Sequence, residues 1–228
     1  MQKLILPVKN FRPSAGYKNA VYRKRWAYTH FGVDCGDFTK DRALYGMGVG
    51  IVRGAGLDGL NGRTTGAGSG CGFVLIVEYD NCYNWMDGKI YDVVVTYMHM
   101  AAMPLVKVGD LVTKKTLLGY YGSTGVNTTG PHLHFQMDTD IKFPKYACGI
   151  SKDGHAYLKH VAKGGNIDST MNPAHFLHIG AGQQIKMWTK PEDLAWMDAT
   201  DFTMIPTTTG PLKKAAAVVG STGRVTIK

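Results

Sequence analysis

Gly130-Pro131-His132-Leu133-His134-Phe135-Gln136-Met137-Asp138 is the stretch that decides how this chain folds and where its chemistry sits. The Gly130-Pro131 pair forces a turn, and the run behind it reads as a strand over 132–138. Side chains two apart on a strand share a face. His132 and His134 therefore present two imidazoles side by side, while Phe135 points the other way, towards a core. Such a pair supplies two metal ligands, or one ligand and one acid–base group, or two exposed strand histidines with no chemical task.

Outward from this run, short apolar segments alternate with glycine turns from about Tyr28 to Leu177. Strands are predicted over 47–53, 72–80, 91–99 and 132–138, with shorter ones near 104–108 and 116–121, and 54–70 reads as a loop. The 228 residues include 29 glycines, about twice the usual share. The glycines follow no fixed period and are interspersed with β-branched runs, which points to tight turns between short strands and excludes a collagen-like chain. Parallel pairing needs crossovers of about a dozen residues or more, usually helical, and these are scarce. The expected fold is mostly β, a compact antiparallel β-sheet core. Residues 1–27 are expected to be an irregular lead-in, 28–178 the main domain, and 179–228 a short C-terminal extension. Residues 142–170 read as a polar, lysine-rich insertion. A helix is expected to start with Pro191 at its first position. The four cysteines, Cys35, Cys71, Cys82 and Cys148, have no CxxC spacing. Cys71 and Cys82 flank a strand-like run that would hold them roughly 30 Å apart, so free thiols are expected.

Two further pieces carry chemistry. His30-Phe31-Gly32-Val33-Asp34 offers a nitrogen and an oxygen ligand, with Gly32 suggesting a turn or bulge between them, and Tyr97-Met98-His99 ends a predicted strand. By itself an HxxxD is common. Two histidines with one carboxylate, however, make a three-ligand set that leaves a fourth zinc position open, as catalytic sites require. Two more histidines then remain to move protons or to stabilise an oxyanion.

These pieces resemble the lysostaphin/LytM-type peptidoglycan endopeptidases, the M23 metallopeptidase family. The matching stretches are His30-Phe31-Gly32-Val33-Asp34, Tyr97-Met98-His99, Val108-Gly109-Asp110, Gly122-Ser123-Thr124-Gly125, Gly130-Pro131-His132-Leu133-His134-Phe135 and Asn172-Pro173, in the family's order across about residues 28–178. The resemblance implies an antiparallel sheet with a loop-lined groove. It implies one Zn2+ bound by His30, Asp34 and His134, with His99 and His132 as the unligated catalytic histidines. It also implies hydrolysis of stem or cross-bridge peptides in bacterial peptidoglycan. Tyr97 and Asn127 are candidate substrate contacts. The chain departs from the family pattern in two places. The insertion separates the HLH strand from Asn172-Pro173, and Cys35, directly after a ligand, raises the question of thiol interference with the metal. His155, His160, His175 and His178 lie outside the motifs and read as surface or structural residues.

A formal net charge of +9, with clusters at Arg23-Lys24-Arg25 and Lys213-Lys214, draws the chain to polyanions. No nucleic-acid-binding signature accompanies the charge, which by itself leaves the polyanion undecided; with the family resemblance, anionic wall polymers are the expected partners beside peptidoglycan, and nucleic acid is not. No run is long and apolar enough to span a membrane, and no secretory signal is read at the start. The expectation is a protein made in the cytoplasm and acting on the cell wall, released as a phage endolysin is or borne on a virion, or else a mature secreted form. A virion component with an accessory hydrolase domain and a non-catalytic wall-binding regulator on the same fold are the alternatives. Residues 179–228 are either a wall-binding or docking element or an extension packed on the core.

Overall fold

The architecture grows from one long hairpin. Phe73-Val-Leu-Ile-Val-Glu-Tyr79 and Asp92-Val-Val-Val-Thr-Tyr97 are almost uninterrupted apolar runs, as strands covered on both faces must be. In the computed structural model, which describes residues 1–58, 70–125, 128–139 and 168–210, they lie within two 11-residue antiparallel strands. The described strands are β1 (Leu4–Ile5), β2 (Asn10–Ala15), β3 (Gly32–Asp37), β4 (Ala43–Tyr45), β5 (Gly50–Leu57), β6 (Phe73–Tyr83), β7 (Ile90–Met100), β8 (Leu111–Val112), β9 (Leu117–Tyr120), β10 (Leu133–Asp138), β11 (Thr170–Met171), β12 (Leu177–His178) and β13 (Gln184–Ile185). Among the described residues three short helices join them, α1 (Ala20–Trp26), α2 (Pro191–Leu194) and α3 (Ala199–Thr203), with a 3-10 turn at Pro173–His175.

Nine described strands form one sheet in the order β13-β2-β3-β10-β7-β6-β5-β8, with β11 on the end of β10. Its pairings are antiparallel apart from β13 on β2. The mostly β, antiparallel expectation is therefore met. On one face Leu75, Val77, Tyr79, Val93, Val95, Tyr97 and Phe135 join the main core. On the other, Val74, Ile76, Val94 and Met98 form a smaller buried cluster. Among the described residues no helix is long and apolar enough to cross a membrane.

Several local expectations need correction. The first 27 residues are not an irregular lead-in. Leu4, Leu6, Val8 and Phe11 are fully buried, and β2 pairs with β3. Full burial of each such side chain is worth about 1.5–3 kcal/mol, enough to hold the segment on the sheet although its alternation is too short to read. Residues 104–108 form turns, not a strand, while β4 and β8, only three and two residues long, were not anticipated. Strand β5 runs on to Leu57, into the segment read as loop. Pro191 does open α2, where its missing N–H costs nothing.

From β12 to residue 210 the described chain stays on the body of the protein. β13 lies beside β2, Trp188 Nε1–H donates to the Pro13 carbonyl at 2.7 Å, and Met197, Phe202 and Ile205 enter the main core. Cys35, Cys71 and Cys82 are free. Cys148, His155, His160 and the segments 142–167 and 211–228 lie outside the described residues.

His178 is 1% exposed and donates from Nδ1 to the Phe176 carbonyl at 3.1 Å. Burial, with smaller contributions from Lys3 and Lys114, pushes its pKa down to about 4. Between the ordinary imidazole value and about 4 the unfolded chain takes up a proton that the native state refuses. Native stability should therefore fall as pH drops through that window, by on the order of 2–3 kcal/mol from this residue. Denaturant titrations at about pH 7 and about pH 5 should show a smaller pH-dependent loss in His178→Gln than in wild type. An identical loss in both would remove His178 as the cause.

Candidate metal and catalytic centre

The register between β3 and β10 builds the site. Asp34 lies directly opposite His134, and Gly32 opposite Gln136. His30 stands two residues before β3. His30 Nε2, Asp34 Oδ1 and His134 Nδ1 converge, with separations of 3.1 Å for His30–Asp34, 3.0 Å for His30–His134 and 2.8 Å for His134–Asp34. Gly32 is not a turn or bulge, as the sequence suggested, but an in-register strand residue. A Cβ there would sit 2.5 Å from the Phe135 carbonyl oxygen and 2.6 Å from His134 Nε2. Glycine thus provides the space in which the His134 ring lies.

The set fits zinc on the chemistry of its ligand atoms. His30 Nδ1 lies 2.8 Å from the Gly16 carbonyl. A carbonyl only accepts, so Nδ1 carries the proton and the lone pair of Nε2 faces Asp34 and His134. This is the outer hydrogen bond that ligating histidines usually make. Two imidazole nitrogens and one carboxylate match zinc's preferences and leave a fourth position open. Tetrahedral ligation would space the three atoms about 3.3 Å apart, slightly wider than they stand. These three residues are also the one group of converging metal-ligand side chains among the described residues.

The electrostatics agree. Burial disfavours the Asp34 carboxylate, but His30 and His134 outweigh it and hold its pKa well below the usual range. Burial pulls His30 down, yet Asp34 and the Gly16 carbonyl leave it raised overall. His134 is lowered, first by burial and then by His30 and His132, against the pull of Asp34. Cys35 does not compete for the metal. The strand's alternation turns it into the core at 0% exposure, and burial, then Asp34 and Asp37, push its thiol well above the ordinary range.

His99 and His132 stand beside this set, their rings 4.9 Å apart and the His99 ring 6.3 Å from that of His134. His99 Nδ1–H donates to the Thr124 carbonyl at 2.9 Å and His132 Nδ1–H to the Gly130 carbonyl at 2.8 Å. Each leaves Nε2 free, and that of His132 lies 3.8 Å from Asp34. Burial, then His134 and His132, lower the pKa of His99 to about 4.

Tyr97 corrects the sequence reading. Strict alternation would place it on the face of His99, lining a groove, but it is 0% exposed and shares a 2.9 Å hydrogen bond with the Tyr79 hydroxyl. His99 adopts a left-handed backbone, φ 60°, where the β6–β7 register shifts. That turn carries His99 away from the core face and leaves Tyr97 in it. Asn127 lies outside the described residues.

What the sequence did not disclose is how the two histidines are held. The Gly122 N–H donates to the His99 carbonyl at 2.7 Å, and the Gly122 carbonyl accepts the His132 N–H at 2.9 Å. A Cβ on Gly122 would meet Ala101 at 2.6 Å. The Gly122-Ser-Thr-Gly125 motif, one of the stretches that carry the family resemblance, was the available signal.

The sequence model of peptidase family M23 matches residues 30–143, half of the chain, and spans every residue of this centre. The chain belongs to peptidase family M23. Within the family, this M23 peptidase is 38% identical over 76 residues to the glycyl-glycine endopeptidase ALE-1 of Staphylococcus capitis, covering 33% of the present chain and 19% of the relative. Solved structures that resemble it include lysostaphin from Staphylococcus simulans, at 23% identity and TM-score 0.41, covering 61% of this chain and 48% of that one. A zinc-containing peptidase from Vibrio cholerae follows at 23% identity and TM-score 0.40, covering 60% and 36%. The M23 peptidase thus spans about a fifth of the curated relative and less than half of these two solved chains. His30, Asp34 and His134 are its zinc site.

Metal analysis of purified variants checks this assignment. His30→Ala, Asp34→Ala and His134→Ala should lose zinc, and Gly32→Ala should bind it at least about tenfold more weakly through displacement of the His134 ring. Gly122→Ala should keep its zinc. Full zinc in Gly32→Ala would show that the tight approach to His134 is irrelevant to the metal.

Proposed function

We propose that this chain is a zinc endopeptidase that hydrolyses peptide bonds of bacterial peptidoglycan, with glycine cross-bridges as its preferred target. The observation that carries the reading is the paired centre: a three-ligand zinc set with two unligated histidines whose Nε2 atoms are left free beside it. The glycine preference rests on the similarity to a glycyl-glycine endopeptidase.

Zinc bound by His30, Asp34 and His134 supplies a Lewis acid and brings deprotonation of water to about neutral pH. The chain's own residues do the rest. His99 and His132 are tethered through Nδ1, so each ring is oriented and each Nε2 is free to exchange a proton. One takes the proton of the attacking water and passes it to the leaving amine. The other, protonated, donates to the oxyanion that develops on the scissile carbonyl. Backbone carbonyls at Thr124 and Gly130 hold both rings before substrate arrives, so little reorganisation is needed during reaction.

The test is release of new amino termini from purified peptidoglycan with glycine bridges and from peptidoglycan with direct D-alanyl–diaminopimelate links. Wild type should release amines, faster from the glycine-bridged wall. His99→Ala and His132→Ala should each lose about 10²-fold or more in rate with zinc retained. Gly122→Ala should resemble them more than it resembles wild type. A zinc-loaded wild type that releases no amines from either wall would refute the reading. Faster release from the directly linked wall would overturn the glycine preference alone.

A further inference from the structure

We propose that α1, with the exposed aromatic residues Trp26 at its end and Tyr28 just beyond it, is a docking surface for a phosphodiester-linked anionic polymer of the bacterial wall, set beside the zinc site. The proposal rests on the wall-directed reading above, but its test does not depend on catalysis.

Helix α1 is seven residues long and none of them is fully buried. A helix this short is marginal alone, and contacts made by Asn19 and Tyr22 hold it. Asn19 accepts the Tyr22 N–H at 3.0 Å, and the half-buried Tyr22 ring stacks on the zinc ligand His30 at 4.3 Å. The helix is thereby fixed to the metal site while its outer surface faces solvent. Arg23, Lys24 and Arg25 are all exposed at consecutive positions around the solvent side of its last turn, with no acidic residue in the helix's first turn. Among the described residues none of the three forms an ion pair, although Lys18 just before them does, with Asp168 at 2.5 Å.

Cations at a helix C-terminus also favour the helix dipole, by about 0.3–1 kcal/mol each, which accounts for part of this placement. It does not account for the aromatic surface beside them. Trp26 is 51% and Tyr28 48% exposed, and the Arg25 guanidinium stands 5.6 Å from the Trp26 ring. Three unpaired cations beside amphipathic rings match a ligand that alternates negative charge with hydroxylated, partly apolar units. A phosphodiester glycopolymer has that composition, and in the wall it lies beside the peptides that the zinc centre would cut.

The experiment titrates the zinc-loaded full chain with poly(glycerol phosphate), and separately with single-stranded DNA of equal phosphate number and with vesicles containing phosphatidylglycerol. Binding is read at about 50 mM and about 500 mM salt. Wild type should bind poly(glycerol phosphate) more tightly than either alternative, and binding should weaken steeply with salt. The triple variant Arg23→Gln, Lys24→Gln, Arg25→Gln should lose about tenfold or more in affinity while keeping its zinc and its cleavage of short soluble peptides. A control of equal charge change at exposed sites elsewhere, Lys89→Gln, Lys107→Gln, Lys115→Gln, should lose far less. Equal losses in the two triples would overturn the proposal in favour of net charge alone. Tighter binding of DNA or vesicles through the same three residues would overturn it in favour of that partner. Failure to cleave peptidoglycan, with this binding intact, would fault the catalytic reading and leave the surface standing.

Discussion

Everything at the centre depends on the register in which β3 and β10 pair. Antiparallel pairing puts His134 across from Asp34, and a slip of one residue would send one of them into the core. The hydrophobic pattern holds that register. Val33 and Cys35 on one strand, and Leu133 and Phe135 on the other, are all buried at 0% exposure on the opposite face. Core packing and metal geometry are therefore alternate readouts of the same two strands. Gly32 adds the last requirement, since only its missing side chain lets the His134 ring lie against β3.

A second layer of order comes from backbone carbonyls. Gly16 fixes the tautomer of His30, Thr124 that of His99 and Gly130 that of His132. Two loops, the one after β2 and the β9–β10 connection, thereby hold three imidazoles in place without a second set of charged residues, which would have disturbed the charge balance around Asp34. His99 also bears a left-handed backbone, costing on the order of 1 kcal/mol or more. Its N–H donates to the Cys71 carbonyl and its carbonyl accepts the Gly122 N–H, and together these bonds over-determine that conformation.

The two-residue alternation of His132 and His134 was legible because strand geometry gives it a single meaning. The central hairpin was legible because both its faces are buried. The ligand set followed once HxxxD and HxH were read together through the family resemblance. Tyr97 was misread because alternation fails where a residue turns left-handed, and composition does not mark His99 as that residue. The first strands were missed because β1 and β2 are held by long-range burial, with Leu4 and Phe11 lost in a short proline-interrupted segment. The carbonyl tethers were invisible for a simpler reason: any residue type can supply a carbonyl.

The central claim is that two nitrogens and one oxygen from His30, His134 and Asp34 hold a single zinc. X-ray absorption at the zinc edge of the purified protein tests it most directly. The account expects one zinc per chain with nitrogen and oxygen neighbours at about 2.0–2.2 Å and no sulfur neighbour at about 2.3 Å. A sulfur contribution would bring a cysteine such as Cys35 into the site, and a protein that takes up no zinc would contradict the account outright.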